Sequence, residues 1–555
     1  MFKRKKTADV RIVFLGGVGE VGKNMMVIES GKDMVLIDSG LMFPEEEMLG
    51  IDLVLPDFSY VVNNKERLKA IIITHGHEDH TGALPYLLKE VSAPVYGTKL
   101  TLGLIEKKLN EHNLDADTRE ILPSDELTIG SFKFKFFRVC HSIPDGVGII
   151  IETPLGLIVH TGDYKIDQTP VDGRPMELQK LVSLGPKKVL ALLSDSTNAE
   201  TPGYTLPEKT VGANLLKIFE DAEQKIIIAT FASHLHRIQQ IVDVTVKVGR
   251  KLAVSGRSIV DNARIASELG YLKMPEDILI DVREIEKYPP SKVVVLCTGS
   301  QGEPLSALAR ISSNDHKQVK MQTKDTVVIS ASPIPGNERS VSRIINQIYK
   351  SGAEAYYEQI SGVHVSGHSA QEELKLIINI VKPKYFIPIH GEYRHLRHHA
   401  NLAEQTGIPA DHIFICEDGD VLKFDESGAK KAGRVSSGDV FVDGLGVGDI
   451  GDVVLRDRRL LSKDGVFIVV VGISKQSAEI IAGPDVISRG FVYVKETKEL
   501  IDEAIVKVEE TLSKTALEGV TDKAVLKSII TKDLNKFLYN KTRRRPMVMP
   551  VIIEA

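Results

Sequence analysis

This sequence predicts an α/β fold built in successive parts, and three features carry that expectation. Up to about residue 205, short apolar β-rich runs end on histidine and aspartate clusters. From about 205 to 370, helical and strand patterns alternate, with Gly/Ser-rich loops after the strands, as in a parallel doubly wound sheet. After about 450 a smaller unit follows, with one long amphipathic stretch and a last strand.

Taken in order, VRIVFLGG, MMVIES and DMVLIDSG read as strands, with Gly-Lys-Asp turning between the last two. KAIIITH is a buried-type strand ending on histidine, HTGALPYLLKEV has helical spacing, and APVYGT returns to strand. FKFKFFRVCHS alternates, and GVGIIIETPLGLIVHTGDY forms an apolar hairpin. EKTVGANLLKIFEDAEQ then opens the alternating series: KIIIATFAS, RIQQIVDVTVKVG, KLAVSG, KVVVLCTGSQGEP and DTVVISASPIPGN. ELKLIINIVKPKYFIPIHGEYRH gives helix, strand and another histidine. VFIVVVGIS, the stretch from LIDEAIVKVEETL to LNKFLYNKT, and VMPVII complete the chain. In that stretch Leu500, Ile501, Ala504, Ile505 and Val508 recur at three- and four-residue spacing, a face that must be buried somewhere.

At 555 residues the chain exceeds one core. With 43% hydrophobic and 26% charged residues it has the balance of an ordinary globular protein, and its net charge of -5 announces no nucleic-acid partner, so any such partner needs a local basic groove. The 3 cysteines, Cys140, Cys297 and Cys416, are far apart and suggest neither a disulfide framework nor a CxxC metal site. No export signal, anchor or membrane-length apolar run is found, so a cytoplasmic location and no membrane partner are expected. Basic KTRRRP near the end reads as solvated surface.

GGVGEVGKN holds Gly17, Gly19 and Gly22 in a dinucleotide-binding spacing, with Asp38 about twenty residues on, and nearly matches a phosphate-binding loop except for Asn24. Both of those functions need a helix after the glycines, and MMVIESGKDMVLID is strand–turn–strand. A glycine-rich strand connection is expected instead.

ITHGHEDHTG is different. His75 and His77 are followed at once by Asp79 and His80, directly after a buried strand. One metal would hardly take all four ligands from so short a loop, whereas two adjacent metals would, and zinc accepts both imidazole nitrogen and carboxylate oxygen.

THGHEDHTGALP resembles the signature of the metallo-β-lactamase superfamily, and Asp38 in VLIDSG, His141 in CHSIPD and Asp163 in HTGDYK follow its order. Beyond it, LLSDSTNAE, TFASHLHRIQQ, CTGSQGEP, ASPIPGN, HVSGHSAQEE, PIHGEYR, GDIGDVVLRDRR and SRGFVYV resemble bacterial ribonuclease J over nearly the whole chain. The resemblance implies a metallo-β-lactamase αββα sandwich (1–205 and 371–450) with an inserted β-CASP parallel α/β domain (206–370). It further implies a linker (451–464) and a small C-terminal α+β oligomerisation domain (465–555).

It also implies two zinc ions, one held by His75, His77 and His141, the other by Asp79, His80 and His390, with Asp163 bridging and Asp38 orienting a ligand imidazole. Asp79 belongs to the catalytic set as well. His368, partnered by Asp195, is the implied general acid. Ser233, His234 and the loop His364, Val365, Ser366, Gly367, His368 are the implied 5′-phosphate pocket. Arg237, Arg257, Arg339 and Lys384 are weaker candidates for lining an RNA channel.

The implied activity is 5′-to-3′ exonucleolytic and internal cleavage of single-stranded RNA in decay and maturation. The implied assembly is a homo-oligomer, dimer or tetramer, which a paralogue could join. The rival expectations are a weakly active partner of such a paralogue and a small-molecule hydrolase on the same core. Cys140 is expected to be buried and inert, and His112, His316, His395, His398, His399 and His412 to be exposed.

Overall fold

VRIVFLG makes a strand, Val10–Gly16, buried at every position but Arg11, because it lies mid-sheet between two antiparallel neighbours. The structure is a computed structural model and describes residues 9–45, 47–185, 189–301, 303, 306–334, 337–491 and 498–555. The basic opening of the chain and parts of CTGSQGEP, ASPIPGN and SRGFVYV lie outside the described residues.

Two compact units result, one of residues 1–43 and 53–440, the other of 44–52 and 441–555. In the first, an eight-stranded sheet runs Gly428–Arg434, Asp420–Asp425, Val10–Gly16, Met25–Ser30, Asp33–Ile37, Leu68–Ile72, Val95–Gly97, Thr118–Glu120. A six-stranded sheet runs Tyr385–Ile389, Val189–Asp195, Gly156–His160, Val147–Thr153, Phe132–Arg138, Glu126–Ile129. Residues of both sheets meet in one core, Phe14, Ile28 and Ile72 from one and Phe134, Ile149 and Leu193 from the other. The second sheet's other face is covered by helices Gln371–Val381 and Tyr393–Gln405, through Leu374, Ile378 and Leu402.

The strand that closes this second sheet, Tyr385–Ile389, pairs in parallel with Val189–Asp195, although about two hundred residues separate them. Between them in sequence stands a third sheet, parallel throughout: Leu279–Ile280, Lys251–Ser255, Val293–Cys297, Ile226–Ala229, Thr326–Ile329, Glu354–Tyr357. Its strands are apolar on both faces because helices flank both sides. The first unit is therefore a two-sheet sandwich with a parallel α/β domain inserted between two paired strands, the arrangement that the resemblance implies.

HTGALPYLLKEV is not one helix. It makes two single turns, Glu78–Thr81 and Leu84–Leu87, with Pro85 at the start of the second, where a missing N–H costs nothing. The stretch expected as a linker contains a helix, Asp452–Asp464.

The second unit has a three-stranded sheet, ordered Ile480–Arg489, Val466–Ile473, Met547–Glu554, under helices Lys498–Leu517 and Lys523–Thr542. Leu500, Ala504 and Val508 pack onto that sheet through Phe467, Val469 and Val471, so the helical face that must be buried somewhere is buried inside its own unit.

Candidate metal centre

Asp79 and His80 lie in the turn Glu78–Thr81 and His368 in the loop before helix Gln371–Val381, but several other groups of the site sit at or just past a strand end, where the chain leaves the sheet and a side chain is free to turn across its edge. Asp38 follows Asp33–Ile37, His75 follows Leu68–Ile72, Asp163 follows Gly156–His160, and His390 follows Tyr385–Ile389. Asp195 ends Val189–Asp195.

His75, His77 and His141 form one group. His77 Nδ1 lies 3.0 Å from His75 Nε2 and 3.1 Å from His141 Nε2. Burial, then repulsion from a neighbouring imidazole (His80 on His75, His141 on His77, His368 on His141), holds all three below the usual imidazole range, with His141 pushed down to about 3. His141 Nδ1–H donates to the Gly367 carbonyl at 2.9 Å, which leaves its Nε2 lone pair pointing into the group. A side chain at 367 would place Cβ 2.8 Å from that imidazole, so only glycine allows the carbonyl so close.

Asp79, His80, Asp163 and His390 form the second group, with one ligand atom from each within 4.8 Å of all the others. Here the sign reverses. Although burial disfavours charge, Asp163 first, with Asp79, raises His80 and His390 above the usual imidazole range, and Asp163 is itself held well below the carboxylate range. Asp38 accepts from His80 Nδ1 at 2.8 Å and from the Thr74 backbone at 2.7 Å, so His80 Nε2 faces Asp163. Asp163 Oδ2 lies 3.0 Å from His390, 3.3 Å from His80, 3.7 Å from His75 and 3.8 Å from His141, which puts one carboxylate oxygen between the two groups.

These residues fit metal ions. One group offers three neutral nitrogen lone pairs with no proton to share, and the other concentrates carboxylate charge that protonated imidazoles offset in the metal-free chain.

His368 stands beside both groups, its ring centroid 4.9 Å from that of His141 and 5.5 Å from that of His390. Its Nδ1 donates to Asp195 Oδ2 at 2.7 Å. Against the cost of burial, that carboxylate raises the imidazole to about 9 in the metal-free chain, which favours the protonated form. Asp163, Asp195, His368 and His390 also bring ligand atoms within 4.8 Å of one another.

His234 caps helix Leu235–Lys247, accepting from Arg237 N through Nδ1 at 3.2 Å, and its buried Nε2 has no hydrogen-bond partner. His364 approaches it at 6.4 Å between centroids and keeps an unpartnered buried Nδ1. Ser366 Oγ accepts from His368 N at 3.1 Å, and Val365 is buried beneath the loop. Ser233 is half-buried one residue before the helix cap.

Several expectations are corrected. Arg237 does not line a channel: it is fully buried, because Glu208, Ser330 and the Val363 carbonyl take its guanidinium. Arg257, Arg339 and Lys384 are exposed. His316, His395 and His399 are buried, not exposed, because each has a partner inside: Val319 N, Glu392 N and Ser196 Oγ respectively. His112 and His412 are half-buried against Tyr86 and Tyr385, and His398 is exposed. Cys140 is buried, and burial pushes its thiol up to about 12.

The glycine-rich run is a strand connection, as expected. Gly17, at φ +84°, accepts from His390 N at 2.8 Å, and a Cβ there would strike Asn24. Sequence reasoning missed His160, buried in the same small cavity as His80, Asp163 and His390, and Asn24, whose Nδ2 lies 3.2 Å from His80 Nε2. A buried histidine in an apolar hairpin gives no signal of its own.

Fold and site define a metal-dependent hydrolase of the metallo-β-lactamase class. Comparison with known proteins narrows this. Residues 18–175 match the metallo-beta-lactamase superfamily, 223–348 the ribonuclease J beta-CASP domain, 357–413 the Zn-dependent metallo-hydrolase RNA specificity domain, and 453–555 the ribonuclease J C-terminal domain. The chain is 46% identical to ribonuclease J2 of Bacillus subtilis, covering 100% of both chains. It is also 46% identical to ribonuclease J 1 of Streptococcus pyogenes, covering 99% of this chain and 98% of that one. A solved structure, a protein of unknown function from Enterococcus faecalis V583, shares the fold at a TM-score of 0.54 and 14% identity, over 74% of this chain and 99% of that one. The chain belongs to the ribonuclease J family and is a nuclease acting on RNA. Among the described residues no helix is long and apolar enough to cross a membrane.

Proposed function

We propose that this chain hydrolyses single-stranded RNA from a 5′-monophosphorylated end toward the 3′ end, and also cuts internally, with two zinc ions bound. One observation carries this reading: Asp163 lies between two ligand groups, and His368, hydrogen-bonded to Asp195, stands beside both.

His75, His77 and His141 would hold one ion, Asp79, His80 and His390 the other, and Asp163 both. When bound, the pair supplies an activated water and neutralises charge on the phosphate. His368 has Nδ1 committed to Asp195, so Nε2–H is the proton it offers. As the P–O3′ bond breaks, that proton passes to O3′. One product ends in a 3′-hydroxyl and the other in a new 5′-phosphate, so every cut renews the end that the exonuclease needs.

Ser233, His234 and the loop from His364 to His368 would receive the terminal phosphate. The unpartnered His234 and His364 nitrogens support this, since buried polar atoms without partners are uncommon and a phosphate would supply acceptors. The complete ligand set favours an active enzyme over a passive partner of a paralogue. The second unit would carry homo-oligomeric assembly.

The test uses the zinc-checked protein on RNA bearing a 5′-monophosphate or a 5′-hydroxyl. His368→Ala should keep both metals and slow cleavage by about 10²–10⁴-fold. Loss of a metal from that variant would make His368 a ligand and overturn its role as acid. Ser366→Ala should impair exonucleolytic cleavage more than internal cleavage; equal losses would remove the pocket from this loop.

A further inference from the structure

Three charged side chains lie buried behind the 363–368 loop, and none belongs to the ligand groups or to the proposed phosphate pocket. Lys165, Glu208 and Arg237 are 3%, 4% and 0% exposed. They come from three separate places: the segment after Asp163, the start of helix Lys209–Asp221, and helix Leu235–Lys247. Burying three charges is costly and needs a return beyond the pairing itself.

Their partners show that return. Arg237 donates from Nε to Glu208 Oε1 at 2.8 Å, with Nη2 in ion-pair contact 2.7 Å from the same oxygen, and from Nη1 to Ser330 Oγ at 2.5 Å and the Val363 carbonyl at 2.8 Å. Lys165 Nζ lies 3.6 Å from Glu208 Oε2 and donates to the Ser366 carbonyl at 3.1 Å. One carboxylate thus fixes two cations, and each cation holds one end of the loop. The next carbonyls are taken as well: Gly367 by His141 Nδ1 at 2.9 Å, His368 by Thr205 Oγ1 at 2.7 Å and Asn198 Nδ2 at 3.3 Å.

We infer that Lys165, Glu208 and Arg237 are positioning residues that set the 363–368 loop so that the His368 imidazole meets the leaving 3′-oxygen. None of them touches the reacting atoms. The inference rests on the proposed role of His368 as general acid. It differs from a purely structural role because the loop's place, and not merely its presence, governs proton delivery. A displacement near 1 Å is enough to cost about a hundredfold.

Lys165→Met is the informative variant. It leaves Arg237 and Glu208 as a balanced pair, so the fold should tolerate it, whereas Glu208→Gln would strand two cations. The substrates are two 5′-monophosphorylated RNAs, one with an ordinary linkage at the cleaved position and one with a 3′-bridging sulfur. The sulfur leaves as a thiolate and needs no proton.

On the ordinary linkage, Lys165→Met should lower kcat by about ten- to a hundredfold, with zinc content and melting temperature as in the unaltered protein. On the sulfur linkage its defect should shrink to within a few fold, and Lys165→Arg should restore much of the rate on both. A defect of the same size on both linkages, or a loss of zinc, overturns the inference. His368→Ala on the same pair separates the two proposals. If sulfur rescues His368→Ala and not Lys165→Met, positioning fails and the acid stands. If it rescues neither, the acid reading itself has failed. Should Lys165→Met not fold, Thr205→Val removes the shorter of the two donors to the His368 carbonyl at nearly constant volume. It must show the same preference for the sulfur linkage, and its absence overturns the inference equally.

Discussion

At the scale of single residues, Asp38 shows how little of a metal site is the ligands themselves. Its carboxylate accepts from Thr74 N, Thr74 Oγ1 and His80 Nδ1, and its backbone is left-handed at φ 58°. Such a conformation persists only where the surroundings over-determine it. By taking the Nδ1 proton, Asp38 leaves the Nε2 lone pair of His80 for a metal. Asp38→Asn removes one acceptor and offers an N–H where His80 already presents one. Zinc affinity should fall about 10–100-fold, as measured by competition with a chromogenic chelator, with helix and sheet content unchanged. Unaltered affinity would assign Asp38 to the fold alone. His75, His77, Asp79 and His80 were legible in the sequence because they crowd one loop. Lys165 and Glu208 were not, because their meaning lies in partners up to about two hundred positions away.

At the scale of elements, the C-terminal helices show where periodicity misleads. The spacing of Leu500, Ala504 and Val508 marks a buried face and does not say against what. Here it is the unit's own sheet. The opposite face of that sheet leaves apolar surface exposed. Ile487 and Met549 both stand level with Ile468, and Val551 with Val470, and these three outer positions are 49%, 46% and 40% exposed. The strand Ile480–Arg489 was itself illegible, since IIAGPDVISR carries a Gly-Pro that reads as a turn. It is tolerated because this strand is at the sheet edge. If the second unit assembles copies of the chain, this face is one that it offers. Val551→Glu should then lower the mass seen by light scattering toward that of a monomer, without altering the melting profile. An oligomer that persists would place the interface elsewhere.

At the scale of the whole molecule, the alternating run from Ile226 to Ile329 announced its parallel sheet, because strands buried on both faces are continuously apolar and the helices between them are amphipathic. The burial of polar groups in this domain and in the sandwich was not announced, and it sets a dependence of stability on pH. His234, His316, His364 and His399 are all held below the usual imidazole range, chiefly by burial, with His364 and His399 pushed down to about 3. A histidine whose folded pKa is depressed refuses a proton that the unfolded chain accepts. Its contribution to stability is therefore complete above about pH 6.5 and is lost progressively as the pH falls toward the folded value. Each such group adds a slope of up to about 1.4 kcal/mol per pH unit. His399 tests this cleanly: it is fully buried against Phe386, its Nδ1 lies 3.0 Å from Ser196 Oγ, and it is outside the ligand groups. The melting temperature of the unaltered protein should fall between pH 7 and pH 5. His399→Asn, which keeps a polar atom near the Nδ1 position and cannot titrate, should start lower at pH 7 because of the lost ring contacts. It should then fall less steeply, by about one proton's worth, so that the two curves approach each other as the medium becomes acidic. Parallel curves would show that His399 has the same proton affinity folded and unfolded, and that the acid sensitivity resides in other groups.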